Sequence, residues 1–505
     1  MPASATTQDS VSGPVISRGV VAQWGVALLT LVLVAAPLGP VLWQSLVDRP
    51  LYDEGGVLTL ANYRRLFATA DIWEIVGNTL VLATLSTVIA GVIGVALAII
   101  LERTNVPGRK LLRGLTLWPM YLSHIVIAFS WFIVYGPAGY ITILGELWFG
   151  RIFWSLYTIP GMAIVAGTSA APFVYLLCSS SARLADATLE DAGRSLGAGP
   201  IRVLWSVSLP LMRPALIYAC LLTFIGSLEM LSVPLVFGRP VGINFFTTFL
   251  YDAALGTDPD YGLVGAAAAL LLAIIIGLLA IQAVLLRNAS RFVTMKGKAQ
   301  RPKLASLGRM RWAAFAIILI YNVIILILPL IGITARAFTT FLTPLLSPVE
   351  LLTLDNFRLL FDYPEYVRSI VNSLLIAVVG GAVATIFVAF VAIVAHRSPF
   401  RFARQLEFIA LSPRAIPGIV ASIGLFWAMQ ILPLVDLLYG TVWILMLAFT
   451  MRAIPTAYGA IAPSLFQIAK ELDQGARSCG ADWWTTSWRV VLPLLKPALF
   501  SAYVL

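Results

Sequence analysis

Few residues in this chain could do chemistry. The charged residue expected to be buried most deeply in a span is Glu229, in Ser227-Leu228-Glu229-Met230-Leu231 ahead of Pro234. A carboxylate inside a bilayer is costly and as a rule faces a protein interior or a water path, which makes Glu229 a pathway candidate. A carboxyl group near the outer interface that pairs or snorkels fits the same residues, and both readings stand. His124, near Pro119 and Tyr121, reads as a hydrogen-bonded packing residue. Two histidines and three cysteines (Cys178, Cys220 and Cys479) give no metal-ligand spacing and no even disulfide set. The Gly297-Lys298 pair lacks the upstream glycine and the following Ser or Thr of a phosphate-binding loop, and neither a Gly-x-Ser-x-Gly elbow nor a His-Glu-x-x-His helix occurs. These residues supply no catalytic constellation and no metal site.

Two glycine-broken segments carry more information. One reads Asp191-Ala192-Gly193, three residues, Gly197, nine more, then Val207-Ser208-Leu209-Pro210; the other reads Gln474-Gly475-Ala476, three residues, Gly480, nine more, then Val490-Val491-Leu492-Pro493. The differences 480 − 197 and 493 − 210 are both 283. Each segment is expected to be two short helices joined at the glycine. Glu190 and Arg194 stand at i,i+4 in the favourable order, Gly197 can take the left-handed conformation that ends a helix, and Pro200 suits the first turn of the next. In the second copy Asp482 can cap. Trp205 and Trp484 then place large apolar groups beside charges on a polar loop, the mark of a docking surface.

The elements that hold these segments must cross a membrane. Of 505 residues, 60% are hydrophobic and 11% charged, with a mean hydropathy of +0.91, far from a soluble globular chain. The net charge of +10 does not point to nucleic acid, because Arg287, Arg291, Lys296, Lys298, Arg301, Lys303, Arg309 and Arg311 lie between two apolar spans with no acid among them. That is a positive-inside signal. Residues 1–20 read as a polar cytoplasmic tail, and the apolar run to about Leu46 reads as a signal anchor rather than a cleaved leader. Further spans are expected over Ile75–Leu101, Leu115–Tyr135, Tyr157–Ser180, Leu211–Val236 and Tyr261–Leu286. After the basic linker 287–311 come Trp312–Ala337, Ser369–Ala395, Ile409–Leu432 and Thr441–Ile461. Basic loops at 102–114 and 396–407 and acidic ones at 48–74 and 238–260 put the N-terminus and both glycine-broken segments in the cytoplasm.

The chain repeats itself beyond the glycine segments. Leu58-Thr59-Leu60-Ala61-Asn62-Tyr63-Arg64 matches Leu352-Thr353-Leu354-Asp355-Asn356-Phe357-Arg358, and Pro119 matches Pro413, all offset by 294. Parallel halves follow, 21–286 and 312–505, with glycine segments at 185–210 and 468–493. Pro119 and Pro413 are expected to kink equivalent spans. Gly91 to Gly94 and Gly380-Gly381 are expected to permit close helix contact. Adding 283 to Leu286 carries the last two spans of the second half to about 569, past Leu505, so the sequence reads as truncated relative to a complete pair of halves.

The paired segments resemble the EAA loop of permease subunits of ATP-binding-cassette importers, whose consensus is Glu-Ala-Ala, three residues, Gly, nine residues, Ile-x-Leu-Pro. Asp191 and Gln474 stand where that consensus has Glu. The resemblance covers nearly the whole chain and implies an all-α polytopic membrane protein. Its fold would be two tandem MetI-like six-helix permease repeats, the second incomplete at the C-terminus. It further implies a bacterial inner-membrane location, two copies of an ATPase subunit seated on the coupling loops, and a periplasmic solute-binding protein. ATP and Mg would be bound by the partner ATPase, so this chain would hold no cofactor, catalyse nothing itself and contact the lipid bilayer rather than nucleic acid. Coupling would fall to Asp191, Ala192, Gly193, Gly197, Trp205, Leu209 and Pro210 in one loop. In the other it would fall to Gln474, Gly475, Ala476, Gly480, Trp484, Leu492 and Pro493. The fused layout resembles ferric iron permeases and their thiamine and polyamine relatives. An ion-coupled secondary transporter is the alternative class, resting on Glu229 alone.

Overall fold

Apolar runs of about 20 residues become helices in a bilayer, because no water is there to satisfy the backbone. A computed structural model describes residues 18–184, 192–193, 195–256, 259–286, 304–347, 349–431, 438–469 and 471–505. In these the regular structure is helical, with isolated bridges in place of strands. The helices are α1 (Arg18–Ser45), α2 (Ala61–Ala68), α3 (Ile72–Arg103), α4 (Arg109–Leu117), α5 (His124–Tyr135), α6 (Tyr140–Phe149), α7 (Ile159–Leu184) and α8 (Pro200–Val203). Then follow α9 (Leu209–Leu228), α10 (Phe246–Leu255), α11 (Tyr261–Leu286), α12 (Met310–Asn322), α13 (Leu328–Ala337), α14 (Asp355–Asp362), α15 (Pro364–Leu375) and α16 (Gly381–Arg397). The last are α17 (Ala403–Leu411), α18 (Gly418–Ile431), α19 (Val442–Gln467), α20 (Glu471–Ser478), α21 (Trp483–Thr486), α22 (Leu492–Leu494) and α23 (Lys496–Val504).

Among the described residues nine helices are long and apolar enough to cross a membrane, and a tenth span results if Ala403–Ala415 and Gly418–Ile431, bent by 111°, count as one. Three apolar runs differ from their expected form. Leu115–Tyr135 is interrupted by a 3-10 turn, Trp118–Tyr121, and the crossing runs instead from His124 to Phe149. Ile409–Leu432 is broken the same way at Ser412–Ala415. The cause is shared: Pro119 and Pro413 cannot donate, and the turn closes through Leu122 N to Pro119 O and Ile416 N to Pro413 O, both 3.2 Å. The helix therefore breaks at both prolines, but the expected kink within a span is seen only in the second half, since Pro119 lies ahead of the crossing helix His124–Phe149. The third run, Leu211–Val236, stops being α-helical at Leu228, and Pro234–Gly238 winds separately as a π turn.

The repeat is legible in the element boundaries. Helices α4 and α17 are offset by 294 at both ends, and α7 and α19 by 283 at both ends. Asn62 and Asn356, from the repeated seven-residue stretch, perform the same task. The Asn62 amide donates to the carbonyls of Gln44, Ser45 and Val47, and that of Asn356 to Arg336, Ala337 and Thr339, closing the exposed end of the first span of each half.

Two compact units form, and they do not follow the order of the halves. One gathers Met1–Trp43, Leu51–Glu54 and Arg368–Leu505; the other gathers Gln44–Pro50 and Gly55–Val367. In the first, α1 lies against α18 so closely that a Cβ on Gly424 would overlap the Pro37 carbonyl, and Trp24 meets Phe400 edge-on at 5.2 Å. In the second, α13 lies against α5, where a Cβ on Gly332 would overlap Val134. The same unit is centred on α3 and α7, held close by glycine on both sides. A Cβ on Gly94 would stand 2.8 Å from Ala171 O, and one on Gly167 2.8 Å from Ser86 O. Small residues facing each other in this way let helix backbones approach where lipid offers no hydrophobic drive. Gly380 and Gly381 have more room, with Met446 and Tyr503 at 3.4 Å.

Candidate coupling elbows and their anchors

Both glycines adopt the left-handed conformation, Gly197 at φ +82° and Gly480 at φ +83°. The helix before each ends in the same hydrogen bond. Ala198 N donates to Gly193 O at 3.0 Å and Ala481 N to Ala476 O at 3.1 Å, again 283 apart, the six-residue closure of a glycine C-cap. The chain then restarts. Pro200 opens α8, and Asp482 caps α21 by accepting from Thr485 N at 2.8 Å.

Beyond each restart lies a feature that spacing alone did not reveal. Leu204–Ser208 and Ser487–Val491 wind as π turns, in register at 283. Leu209 N reaches Leu204 O and Leu492 N reaches Ser487 O, one residue further back than in an α-helix. The next residue, Pro210 or Pro493, has no N–H to continue the ladder, so the Leu-Pro pair of the motif is where the helix is over-wide before the next span begins.

Of the residues expected to couple, Asp191 lies outside the described residues, as do Glu190 and Arg194 and the basic linker from Arg287 to Lys303. Ala192 is exposed, and Gly193 faces Val203, whose Cγ2 would be 3.4 Å from a Cβ there. Gln474, Gly475 and Ala476 all lie on α20. Trp205 is 70% exposed. Trp484, 40% exposed, lies flat on Phe390 of its own unit, ring centres 5.1 Å apart, and Trp488 stacks on both of these rings. The residue in register with Trp205 is Trp488 (488 − 283 = 205), 48% exposed. Glu229 is half-buried at the C-terminal cap of α9 rather than within a span.

An arginine ending a long helix anchors the second elbow, and its counterpart holds the end of the span that precedes the first, a role sequence reasoning passed over. Arg397 donates to Leu465 O at 2.8 Å and to Ile468 O, and pairs with Asp473 at 2.9 Å. Its carbonyl accepts from Trp483 Nε1 at 3.1 Å. Arg103, at the 294 offset, donates to Ala182 O at 3.1 Å, and Ala182 is the 283 counterpart of Leu465. The signal was present as an arginine repeated at the 294 offset beside a basic loop.

A second pair of anchors has the same geometry with charge reversed. The Glu102 carboxylate, fully buried, accepts from Tyr175 at 2.8 Å, from Arg183 Nε at 2.8 Å and from Arg113. Its counterparts are His396, Tyr458, Phe466 and Glu407. His396 Nε2 shares a 2.6 Å hydrogen bond with the Tyr458 hydroxyl, lies 3.8 Å from Glu407, and meets the Phe466 ring edge-on at 4.6 Å. Thus the acid sits on the long helix in one half and on the short helix in the other.

An all-helical chain that crosses the membrane many times in two matched repeats, each with a braced glycine elbow, is a polytopic transport permease of the bacterial inner membrane. It belongs to the family described as binding-protein-dependent transport system inner membrane component, whose model matches residues 90–293 and 381–505, and so is the permease subunit of an ABC importer rather than an enzyme itself. Among similar proteins, one of Haemophilus influenzae named for a ferric transport system permease is 27% identical over 469 residues, covering 90% of this chain and 71% of that one. A ferric transport system permease protein of Actinobacillus pleuropneumoniae is 26% identical over 464 residues, covering 90% of this chain and 65% of that one. A probable ABC transporter permease of Sinorhizobium fredii is 26% identical over 512 residues, covering 95% and 83%. The chain thus spans between 65% and 83% of the length of these three relatives.

Proposed function

We propose that this permease lines the solute pathway of its importer and that the Gly197 and Gly480 elbows transmit the movement of two separate ATPase subunits, which bind ATP and Mg. The observation carrying this reading is the pair of glycine caps with equal φ and equal closing bonds, 283 residues apart, each followed by a π turn. A rigid turn presenting Trp205 or Trp488 on a braced arm suits a docking contact that must move as one body. The N-terminus and both elbows face the cytoplasm in this reading, and a periplasmic solute-binding protein delivers solute from the other side. The solute is ferric iron, on the strength of the two ferric-named relatives; thiamine and polyamines are the other solutes this fused layout suggests. Affinity purification from membranes, followed by immunodetection of the ATPase, tests the coupling role. Trp205→Ala combined with Trp488→Ala should release the ATPase while the permease stays in the membrane at its normal level. Undiminished ATPase recovery would refute it.

A further inference from the structure

Charged groups halfway along membrane spans are rare and face a protein interior or water. Arg452 is such a group. It lies ten residues into the Val442–Gln467 span (452 − 442), about 15 Å along it at the usual rise and near the middle of a ~30 Å hydrocarbon layer. Its side chain is exposed and makes no hydrogen bond or ion pair with the described residues. The guanidinium lies over the first residue of α18, where a Cβ on Gly418 would be 2.5 Å from Nη1. Glycine there makes room for it. Arg414 stands in the 3-10 turn of the same break, Ser412–Ala415, which packs against α19.

No acid in the described structure balances Arg452. Between Glu407 and Glu471 the sequence holds a single acid, Asp436, which lies outside the described residues. In the first repeat the matching positions are Met120 (414 − 294), His124 (418 − 294) and Ser169 (452 − 283), so the two guanidinium groups belong to the second repeat alone. Nor do the described residues gather three His, Cys, Asp or Glu side chains that could hold a metal ion. A hard trivalent cation seeks oxygen anions as ligands, and an unpaired guanidinium repels it. The same guanidinium matches carboxylate or phosphate-like oxygens in a two-point hydrogen bond.

We infer that Arg452 is an anion-selecting station in the solute pathway: the solute passes with net negative charge, as an oxyanion or as ferric iron wrapped in an excess of carboxylate oxygens. The inference rests on the transport reading above and narrows its substrate to a charge class.

Uptake in cells expressing the chain with its ATPase and solute-binding protein tests this, with radioactive ferric citrate, molybdate and spermidine as probes. Wild type should accumulate one of the anionic probes and not spermidine, and which anion is taken up separates the chelate from the free oxyanion. Arg452→Gln should cut that uptake about ten-fold or more, the worth of one charge-assisted hydrogen bond. Arg452→Lys should restore a large part and Arg452→Glu none, with ATPase co-purification and membrane level unchanged in all three. Uptake unaltered by Arg452→Gln overturns the inference, as does accumulation of spermidine, or of no anionic probe. Uptake that persists without the ATPase gene would instead sink the importer reading and is distinguishable from each of these.

Discussion

Arg397 closes on Asp473 at 2.9 Å with the two side chains 5% and 14% exposed, so the last residue of α16 is tied to α20, the helix that runs into the Gly480 elbow. The guanidinium also serves the carbonyls of Leu465 and Ile468, at the end of α19 and just beyond it. One side chain therefore fixes where a span ends and where the elbow begins. Removing one member of a buried pair leaves the other charge without a partner and costs about 3–5 kcal/mol. Arg397→Leu should fall in that range, because it also orphans the two carbonyls. Asp473→Asn should cost less, since Asp473 Oδ1 is buried without a partner and the amide keeps the shape. Thermal unfolding of the purified protein in detergent should rank them in that order, with hydrogen exchange rising first over residues 471–491. Equal unfolding temperatures for Arg397→Leu and wild type would refute the anchor.

The elbow glycines can be separated from their surroundings. Neither Gly197 nor Gly480 has an atom within 4 Å of a built Cβ, so a side chain meets open space and the cost of substitution is conformational. A β-branched residue at these φ values costs about 1–3 kcal/mol, whereas Asn tolerates the left-handed region. Gly197→Val and Gly480→Val should each lower ATPase recovery and uptake while insertion continues; Gly197→Asn and Gly480→Asn should retain most of both. Equal losses for Val and Asn would mean that the turn conformation is not what matters.

The charge-reversed anchors should respond unequally to the same substitution. Glu102 is enclosed by Tyr175, Arg113 and Arg183, so Glu102→Gln strands two guanidinium groups and should destabilise by about 3 kcal/mol or more. Glu407 is 40% exposed and 3.8 Å from His396, so Glu407→Gln should cost about 1 kcal/mol or less. Denaturant titration of each variant checks the contrast. A larger loss at Glu407 would contradict it.

What could be read from the sequence was what recurs at a fixed offset. Gly197, Gly480, Pro119 and Pro413 have backbone consequences that follow from the residue type itself, so their left-handed caps and 3-10 turns could be foreseen from position alone. Asn62 and Asn356 were visible as repeats, yet their work depends on carbonyls near the end of another helix, which spacing does not locate. The ends of the membrane spans were harder, because hydropathy averages across a break: Leu115–Tyr135 is apolar on average although its α-helix stops at Leu117, ahead of Pro119. Trp484 was expected as the docking group, yet Phe390 stacks with both Trp484 and Trp488, and it is the 283 offset that makes Trp488 the counterpart of Trp205. Arg452 escaped notice beside Glu229 because a single charge in an apolar window barely lowers its mean. The grouping of α1 with α18 had no sequence signal beyond Gly424.

That grouping has its own test. A Cβ on Gly424 would overlap the Pro37 carbonyl and stand 2.9 Å from Val41 Cγ2, so the obstruction is mostly backbone and cannot be relieved by a side-chain rotation. Overpacking of this kind costs about 1–3 kcal/mol, and in a bilayer the simplest relief is for α1 to move away, since lipid replaces its apolar contacts at little cost. Gly424→Leu should therefore release α1 and leave the rest of its unit folded. Trp24 and Phe400 meet edge to face with ring centres 5.2 Å apart, close enough for cysteines placed at both positions to be bridged by a short bifunctional thiol reagent. The bridge should form in an otherwise wild-type background and fall several-fold when Gly424→Leu is added, with α16 and α19 still protected from proteolysis. Bridging at an undiminished yield would mean that α1 is held by contacts other than the Gly424 crossing.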